Sequence, residues 1–284
     1  MMNANNPLVS VIIPTKDRPD KLSIAVESVL QQTYSNLEII VVDDGSTVPV
    51  SLDFTDPRIK IIHLDKPKGV AAARNIALRE AQGEFMCLLD DDDYYYPNKI
   101  DVQLNYLFQH PEVDIVYSLM EYNFWHKGKK KETIIHKHAL IYDMNNFKYC
   151  INVIHNNSSL FRKRVLERIS FDERLTKYSD TQFYMAASLC CVIHHLPVVV
   201  AVWNIGWGTH QITSRRKFLK NYKNHTLLCE IFRETIDNNP LYRKKCYRKL
   251  GIYALVCGDL IGAFKAFKRM LPGYFSWRQV NNKS

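Results

Sequence analysis

Four consecutive aspartates, Asp90-Asp91-Asp92-Asp93, directly follow the apolar run Phe85-Met86-Cys87-Leu88-Leu89. This pattern predicts a buried strand whose C-terminal end carries negative charge into a cleft, and open α/β sheets bind ligands at that end of their strands. Adjacent carboxylates repel one another and call for a cation or a basic partner. Mg²⁺ and Mn²⁺ take oxygen ligands and commonly bridge a carboxylate to substrate phosphates. The expected chemistry is a metal-assisted reaction of a phosphorylated donor. Two earlier apolar runs end in polar residues of the same kind, Pro14-Thr15-Lys16-Asp17-Arg18 and Asp43-Asp44-Gly45-Ser46. In a parallel sheet the three ends lie side by side. Arg74-Asn75, on a helix after Lys68-Gly69, adds a cation. Neither G-x-G-x-x-G nor G-x-x-x-x-G-K-[ST] occurs, so a dehydrogenase fingerprint and a P-loop are excluded.

The elements that must hold these residues are legible as alternating runs. Strands are expected over 8–13, 37–42, 59–64 and 85–89, with helices over 20–32 and 70–81. Continuous β-branched strands alternating with helices predict an α/β fold, a mostly parallel Rossmann-like sheet flanked by helices. The alternation weakens after about residue 110. There the pattern predicts a strand over 113–119, a loop or exposed hairpin over 126–138 and a helix over 159–168. A helix over 181–190 preceded by Ser179-Asp180 follows, then a strand over 192–203 with a turn near Pro197. Helices are expected over 215–236, 241–257 and 259–270.

The chain has 284 residues, 46% apolar and 24% charged, as in a soluble globular protein with room for one large domain and an appendage. No segment has the apolar length of a membrane-spanning helix, and Met1 to Pro7 lacks the basic and apolar regions of a signal peptide. Seven cysteines without C-x-x-C spacing predict reduced, buried thiols and a cytoplasmic location. The net charge of +9 is uneven: residues 215–284 hold 16 Lys and Arg against 4 acids, a net of +12, leaving −3 elsewhere. Such asymmetry predicts that the tail faces something anionic.

Taken in order, Val9 to Thr15, Glu38 to Thr47, Gly69 to Asn75 and Leu88 to Asp93 resemble the family 2 inverting glycosyltransferases with the GT-A fold. A weaker match runs through Ser159 to Lys163 and Phe171 to Glu173 as far as Ser179-Asp180, so the resemblance covers about residues 8–214. It implies a catalytic domain over 1–214, with a nucleotide-binding half over 8–110 and an acceptor half over 111–214, followed by a basic helical extension over 215–284. It implies that Asp43 hydrogen-bonds the nucleotide base, with Pro14, Thr15, Asp17, Arg18, Asp44 and Gly45 around the same pocket. Arg74 and Asn75 would lie at base or phosphate. Asp90-Asp91-Asp92 matches the D-x-D element: Asp92 would ligate Mn²⁺ or Mg²⁺, and Asp90 would hold the ribose or a metal-bound water. The ion would neutralise the departing diphosphate. His210 falls where many members carry a histidine and is a second candidate metal ligand.

An inverting transfer needs a base to deprotonate the acceptor hydroxyl. The family places a Glu-Asp pair at a helix start; this chain has Ser179-Asp180. Asp180 is the expected base, Asp172 and Glu173 are its rivals, and a plain helix cap is its structural alternative. The absence of a Gln-x-x-Arg-Trp element and of spanning helices predicts single-sugar addition. The C-terminal helices mix basic residues with Phe218, Tyr222, Leu227, Leu228, Phe264, Phe267, Met270, Leu271, Tyr274, Phe275 and Trp277. That mixture suits an anionic membrane surface, unless the apolar faces pack inward; no nucleic-acid motif is present. The expected function is transfer of one sugar from a nucleotide-diphosphate donor, UDP-linked, to a glycan or lipid-linked acceptor. It would occur at the inner membrane face in the assembly of a bacterial surface polysaccharide. The competing functions are a sugar nucleotidyltransferase, which would want a glycine-rich phosphate loop, and a sugar-nucleotide-binding protein with a degenerate site.

Overall fold

The computed structural model describes residues 6–136, 154–206 and 215–271. The chain divides into two compact units, one of residues 1–174 and 179–210 and one of residues 175–178 and 211–284.

The first unit is a mixed α/β structure. Its elements are β1 (Val9–Thr15), α1 (Pro19–Leu30), β2 (Leu37–Asp43), β3 (Ile59–His63), α2 (Val70–Glu80), β4 (Phe85–Leu88), β5 (Tyr94–Tyr95) and α3 (Lys99–Gln109). β6 (Ile115–His126), β7 (Lys129–His136), β8 (Ser159–Arg162), α4 (Ser179–Ala187) and β9 (Ile193–Ile205) complete it. The strand order is β3-β2-β1-β4-β8-β6-β9-β5, with β7 on β6. The strands β3, β2, β1 and β4 are mutually parallel. β8 then runs antiparallel to both β4 and β6, and β6 is parallel to β9.

β1 is buried along its whole length, as a strand covered on both faces must be, and α1 buries Leu22, Ala25, Val26 and Val29 at helical spacing. Register does the rest. Thr15 pairs with Asp43, and Ile12 pairs with Leu88 just before the aspartates. The C-terminal ends of β1, β2 and β4 therefore lie level and adjacent.

The predicted helix over 159–168 is wrong. Ser159 to Arg162 form β8, followed by a 3₁₀ turn over Lys163–Glu167. Leu160 and Phe161 fill the slot between β4 and β6, and the ladder bonds available there outweigh local helical spacing. The described part of the 126–138 segment, residues 126–136, takes the hairpin form, with Lys127 and Gly128 both at positive φ in the turn. β9 continues past Pro197, where its register against β6 shifts between Ser118 and Met120.

Helix α3 was not foreseen, because it opens with a lysine that faces the core. Lys99 is fully buried. Its Nζ donates to Gln103 Oε1 at 2.6 Å and to Ser159 O at 2.9 Å, and it lies 4.6 Å from the centre of the Tyr95 ring. Burial pulls its ammonium below the usual lysine range, although the neighbouring Cys87 thiol opposes this. Lys99→Ala leaves buried acceptors unpaired and is expected to cost about 3 kcal/mol, read as a lower urea midpoint at unchanged slope.

The second unit contains α5 (Arg215–Ile231), α6 (Arg233–Asp237), α7 (Pro240–Cys257) and α8 (Leu260–Arg269). The single helix predicted over 215–236 is divided near Phe232. Asn239 caps α7 by accepting from Tyr242 N, with Pro240 in its first turn. Its core includes Leu228, Phe232, Ile236, Cys246 and Tyr247. His225 is buried in this core, with Nε2 donating to Cys246 O at 3.1 Å and Nδ1 without a partner among the described residues. Burial pushes its pKa down to about 4, while the carbonyl opposes this and Lys249 assists. The folded state thus binds fewer protons than the unfolded chain between pH 6.5 and about 4. Stability is full above pH 6.5 and falls by about 3 kcal/mol as pH drops through that window. Denaturant midpoints across the window are expected to show this fall, and His225→Gln to flatten it.

Candidate active site

The loop after β2 is built around Asp43, which is buried. Its Oδ1 accepts from the Ser46 amide and hydroxyl. Its Oδ2 accepts from Val50 N at 3.1 Å and meets His63 Nδ1 at 3.1 Å. Burial alone would raise its pKa, but the bonds from Ser46, His63 and Val50 hold it below the usual carboxylate range. The next carboxylate, Asp44, accepts from Lys68 N at 2.6 Å and Gly69 N at 2.9 Å, so it neutralises the amino end of α2. Gly45 follows them at φ +65°, where a Cβ would lie 2.6 Å from Pro67 N; no other residue fits. Asp17 ties the β1 loop to this one, accepting from Thr47 N at 2.7 Å while its own N donates to Ser46 Oγ at 2.8 Å. Pro14, Thr15, Asp17, Arg18, Asp44 and Asp91, with Lys16 and Val70, line one cleft of about 340 Å³.

The four aspartates alternate. Asp91 and Asp93 turn inward. Asp91 accepts from Thr15 Oγ1 at 2.7 Å and Arg18 Nη1 at 3.0 Å. Asp93 accepts from Asn204 N at 2.7 Å and Asn157 Nδ2 at 2.5 Å. Asp90 and Asp92 keep 29% and 24% of their side chains open to solvent. Asp90 pairs with Arg74 Nη2 at 2.6 Å, and Asp92 with Arg18 Nη1 at 3.0 Å and more distantly with Lys21. Burial pushes Asp91 up to about 6, against the pull of Arg18. Burial and repulsion from Asp90 raise Asp92, and Asp93 stands well above the usual range for the same reasons. Asp90 alone is lowered, because Arg74 and His155 overcome its burial.

The cluster is short of positive charge, and its open donors are oxygens only. Such a set fits a hard divalent cation. Among the described residues no three His, Cys, Asp or Glu side chains converge on one point. An ion held by Asp92, with Asp90 beside it, would therefore take most of its ligands from diphosphate and water, as Mg²⁺ commonly does. His210 lies outside the described residues.

Arg74 and Asn75 are spent inside the fold. Arg74 Nη1 donates to Ser179 Oγ at 3.2 Å while Nη2 holds Asp90, and its guanidinium sits 5.4 Å from the Phe171 ring centre. Asn75 Nδ2 donates to Phe171 O and Glu173 Oε1, both at 2.9 Å. One guanidinium thus links the aspartate run to the first turn of α4, where Asp180 sits. Asp180 is half-buried and accepts from the amide of Thr181 at 2.7 Å. Its rivals are occupied: Asp172 is gripped by Arg174, which lowers its pKa, and Glu173 by Asn75. Asn157 and Asn204, the partners of Asp93, carry no signal in the sequence, since they lie 64 and 111 residues further along. Beside them His155 packs at a tilt on Trp203, 4.9 Å between ring centres, and Trp203 meets Tyr122 edge-on at 5.0 Å.

The strand ends of β1, β2 and β4 meet beside a carboxylate run, and Arg74 ties that run to the start of α4, which places the candidate site at the ligand-binding edge of an α/β sheet. The sequence matches the Glycosyl transferase family 2 description over residues 10–170, and the chain belongs to that family. WcaA of Escherichia coli (strain K12), a putative colanic acid biosynthesis glycosyl transferase, is 46% identical over 105 residues, covering 35% of this chain and 38% of that protein. WfgD of Escherichia coli, named a UDP-Glc:alpha-D-GlcNAc-diphosphoundecaprenol beta-1,3-glucosyltransferase, is 40% identical over 105 residues, covering 36% and 42%. The matched part spans less than half the length of these curated relatives. Among solved structures, S. aureus TarS 1-349 in complex with UDP-GlcNAc aligns at a TM-score of 0.58 and 16% identity, over 95% of this chain and 91% of that one. The mannosyltransferase PcManGT from Pyrobaculum calidifontis, in complex with GDP-Man and Mn²⁺, aligns at 0.58 and 17%, over 96% and 84%. These two likenesses establish the shared fold.

Proposed function

We propose that this protein moves a single sugar, with inversion, from a UDP-linked donor to a hydroxyl of a glycan or lipid-linked acceptor, and that it uses Mn²⁺ or Mg²⁺. Catalysis is assigned to residues 1–214. The observation that carries the proposal is the bridge Asp90–Arg74–Ser179, which binds the leaving-group carboxylates and the helix of the base into one site. Family membership supports a nucleotide-sugar donor. The names of WfgD and TarS support uridine and a lipid-linked acceptor, and that of PcManGT supports a divalent ion.

The β1 and β2 loops receive the nucleotide, with Thr15 and Asp17 lining the cleft and Asp43 and Gly45 setting its shape. Asp90, paired with Arg74, is assigned to ribose or water, and Asp92 would hold the cation. A bound divalent ion supplies charge neutralisation to the departing diphosphate. Asp180 takes the proton from the acceptor hydroxyl, whose oxygen attacks the anomeric carbon from the side opposite the leaving group. Arg74 holds Asp90 and the start of α4 in register. The basic 215–284 region is assigned to an anionic lipid surface at the cytoplasmic membrane face; among the described residues no helix is long and apolar enough to cross a membrane.

Incubation with UDP-sugars and Mn²⁺ tests the proposal. Metal-dependent UDP release, raised by acceptor, is the expected result. UTP formation that depends on pyrophosphate would assign a nucleotidyltransferase instead, and tight binding without turnover a sugar-nucleotide-binding protein.

A further inference from the structure

Helix α8 is amphipathic in an unexpected sense. Its small residues face inward: Ala263 and Ala266 are 2% and 3% exposed, whereas Leu260, Ile261 and Phe264 are 71%, 69% and 68% exposed. The placement is enforced by the packing of α7 on α8. A Cβ on Gly251 would lie 2.6 Å from the Phe267 ring, so the helices approach too closely for larger inward side chains. The end of α7 continues the surface. Ile252, Leu255 and Val256 share one helical face and are each nearly half exposed. The turn at Gly258 joins the two, so the α7–α8 hairpin ends in an apolar tip.

The charge around the tip is layered. Lys245 and Arg248 are exposed on the same face of α7 as Ile252 and Val256, one to two turns further back, and Lys265 is exposed along α8. At 1.5 Å per residue, Arg248 stands about 12 Å behind Val256. The one acid between Ile252 and Leu271 is Asp259. It is held at the start of α8 by Tyr222 Oη and Gly262 N, each at 2.7 Å. An apolar end backed by cations at this depth matches a bilayer, whose headgroups lie over the outer acyl layer. A second copy of the chain fits poorly. A two-fold contact sets the same surface against itself and would bring the basic faces together.

We propose that the α7–α8 tip inserts into the outer acyl layer of an anionic bilayer, with Leu260, Ile261 and Phe264 as the wedge and Lys245, Arg248 and Lys265 on the headgroups. This rests on assigning the C-terminal region to lipid, and it is independent of the donor chemistry. It also changes how that region would dock: charge brings it to the surface, and the aliphatic tip anchors it.

The test is co-sedimentation of the full chain with phosphatidylglycerol–phosphatidylcholine vesicles, without nucleotide. The wild-type protein is expected to bind, less strongly as salt rises. Combined Leu260→Ser, Ile261→Ser and Phe264→Ser substitutions should weaken binding at least about tenfold, with unchanged circular dichroism and unchanged UDP binding. Phe264→Trp should add emission that shifts to the blue when vesicles are present, reporting insertion without loss of apolar surface. Lys245→Glu with Arg248→Glu should remove the salt-sensitive part. Equal vesicle binding by the serine variant, or an unshifted tryptophan, would overturn the proposal. So would a wild-type dimer, seen by light scattering, that the serine variant turns into monomer.

Discussion

Asp180→Asn is expected to lower sugar transfer by about 10³-fold and to leave donor binding unchanged. The substitution preserves size and an acceptor oxygen for the Thr181 amide, which Asp180 engages at 2.7 Å. It removes only the charge, and with it the capacity to take a proton. Asp180 lies in the first turn of α4, where loss of its charge costs about 0.3–1 kcal/mol through the helix dipole, so a purely structural Asp180 would lose a little stability and keep its activity. Transfer is measured as acceptor-dependent UDP release, and donor binding by calorimetry. The neighbouring Ser179 makes the test sharper. It accepts from Arg74 rather than adding a second carboxylate, so no nearby acid at the helix start can take over. Asp172 and Glu173 are already engaged by Arg174 and Asn75. Full activity in the variant would refute the assignment of the base.

Asp92→Asn is expected to abolish metal-dependent donor binding and to lower kcat/KM by about 10³-fold, the order found on removing one group that stabilises developing charge. No neighbour can substitute. Asp90 is neutralised by Arg74, Asp91 is held by Thr15 and Arg18, and Asp93 is buried against Asn157 and Asn204. Stability should move the other way. Burial and repulsion from Asp90 already raise the Asp92 pKa, so a neutral amide there relieves strain in the free protein. A variant that melts no lower than wild type yet loses activity separates ligand from structural carboxylate. A lowered melting temperature with retained metal-dependent binding would contradict the assignment.

The strand ends that frame the candidate site were legible in the sequence because their signals are local. Continuous apolar runs give β1, β2 and β4, and the polar residues that follow them must emerge at one edge of a parallel sheet. The family resemblance assigns Asp90 to ribose or a metal-bound water and Asp92 to the metal, and these two are the members of the run left open to solvent. What stayed hidden depends on distant partners. Asn157 and Asn204 reach Asp93 across 64 and 111 residues, and nothing in their own neighbourhoods marks them. Arg74 was expected at base or phosphate, but its guanidinium points to Asp90 and Ser179. The errors in secondary structure share one cause, tertiary context. Ser159 to Arg162 have helical spacing but complete a sheet, and α3 was hidden by a lysine whose buried acceptors only the fold supplies. The apolar tip of the second unit carries no sequence signal for a related reason. Leu260 and Ile261 look like core residues until Ala263 and Ala266 are found to occupy the inner face.

The most direct test of the central claim, a carboxylate site that binds a nucleotide-sugar through a divalent cation, is calorimetric titration of UDP-glucose into the wild-type protein with Mn²⁺ and again with EDTA. Saturable binding with Mn²⁺ that disappears with EDTA, and is absent from Asp92→Asn under both conditions, is the predicted result. Equal binding with and without the ion, or none under either condition for UDP- and GDP-sugars alike, would contradict it.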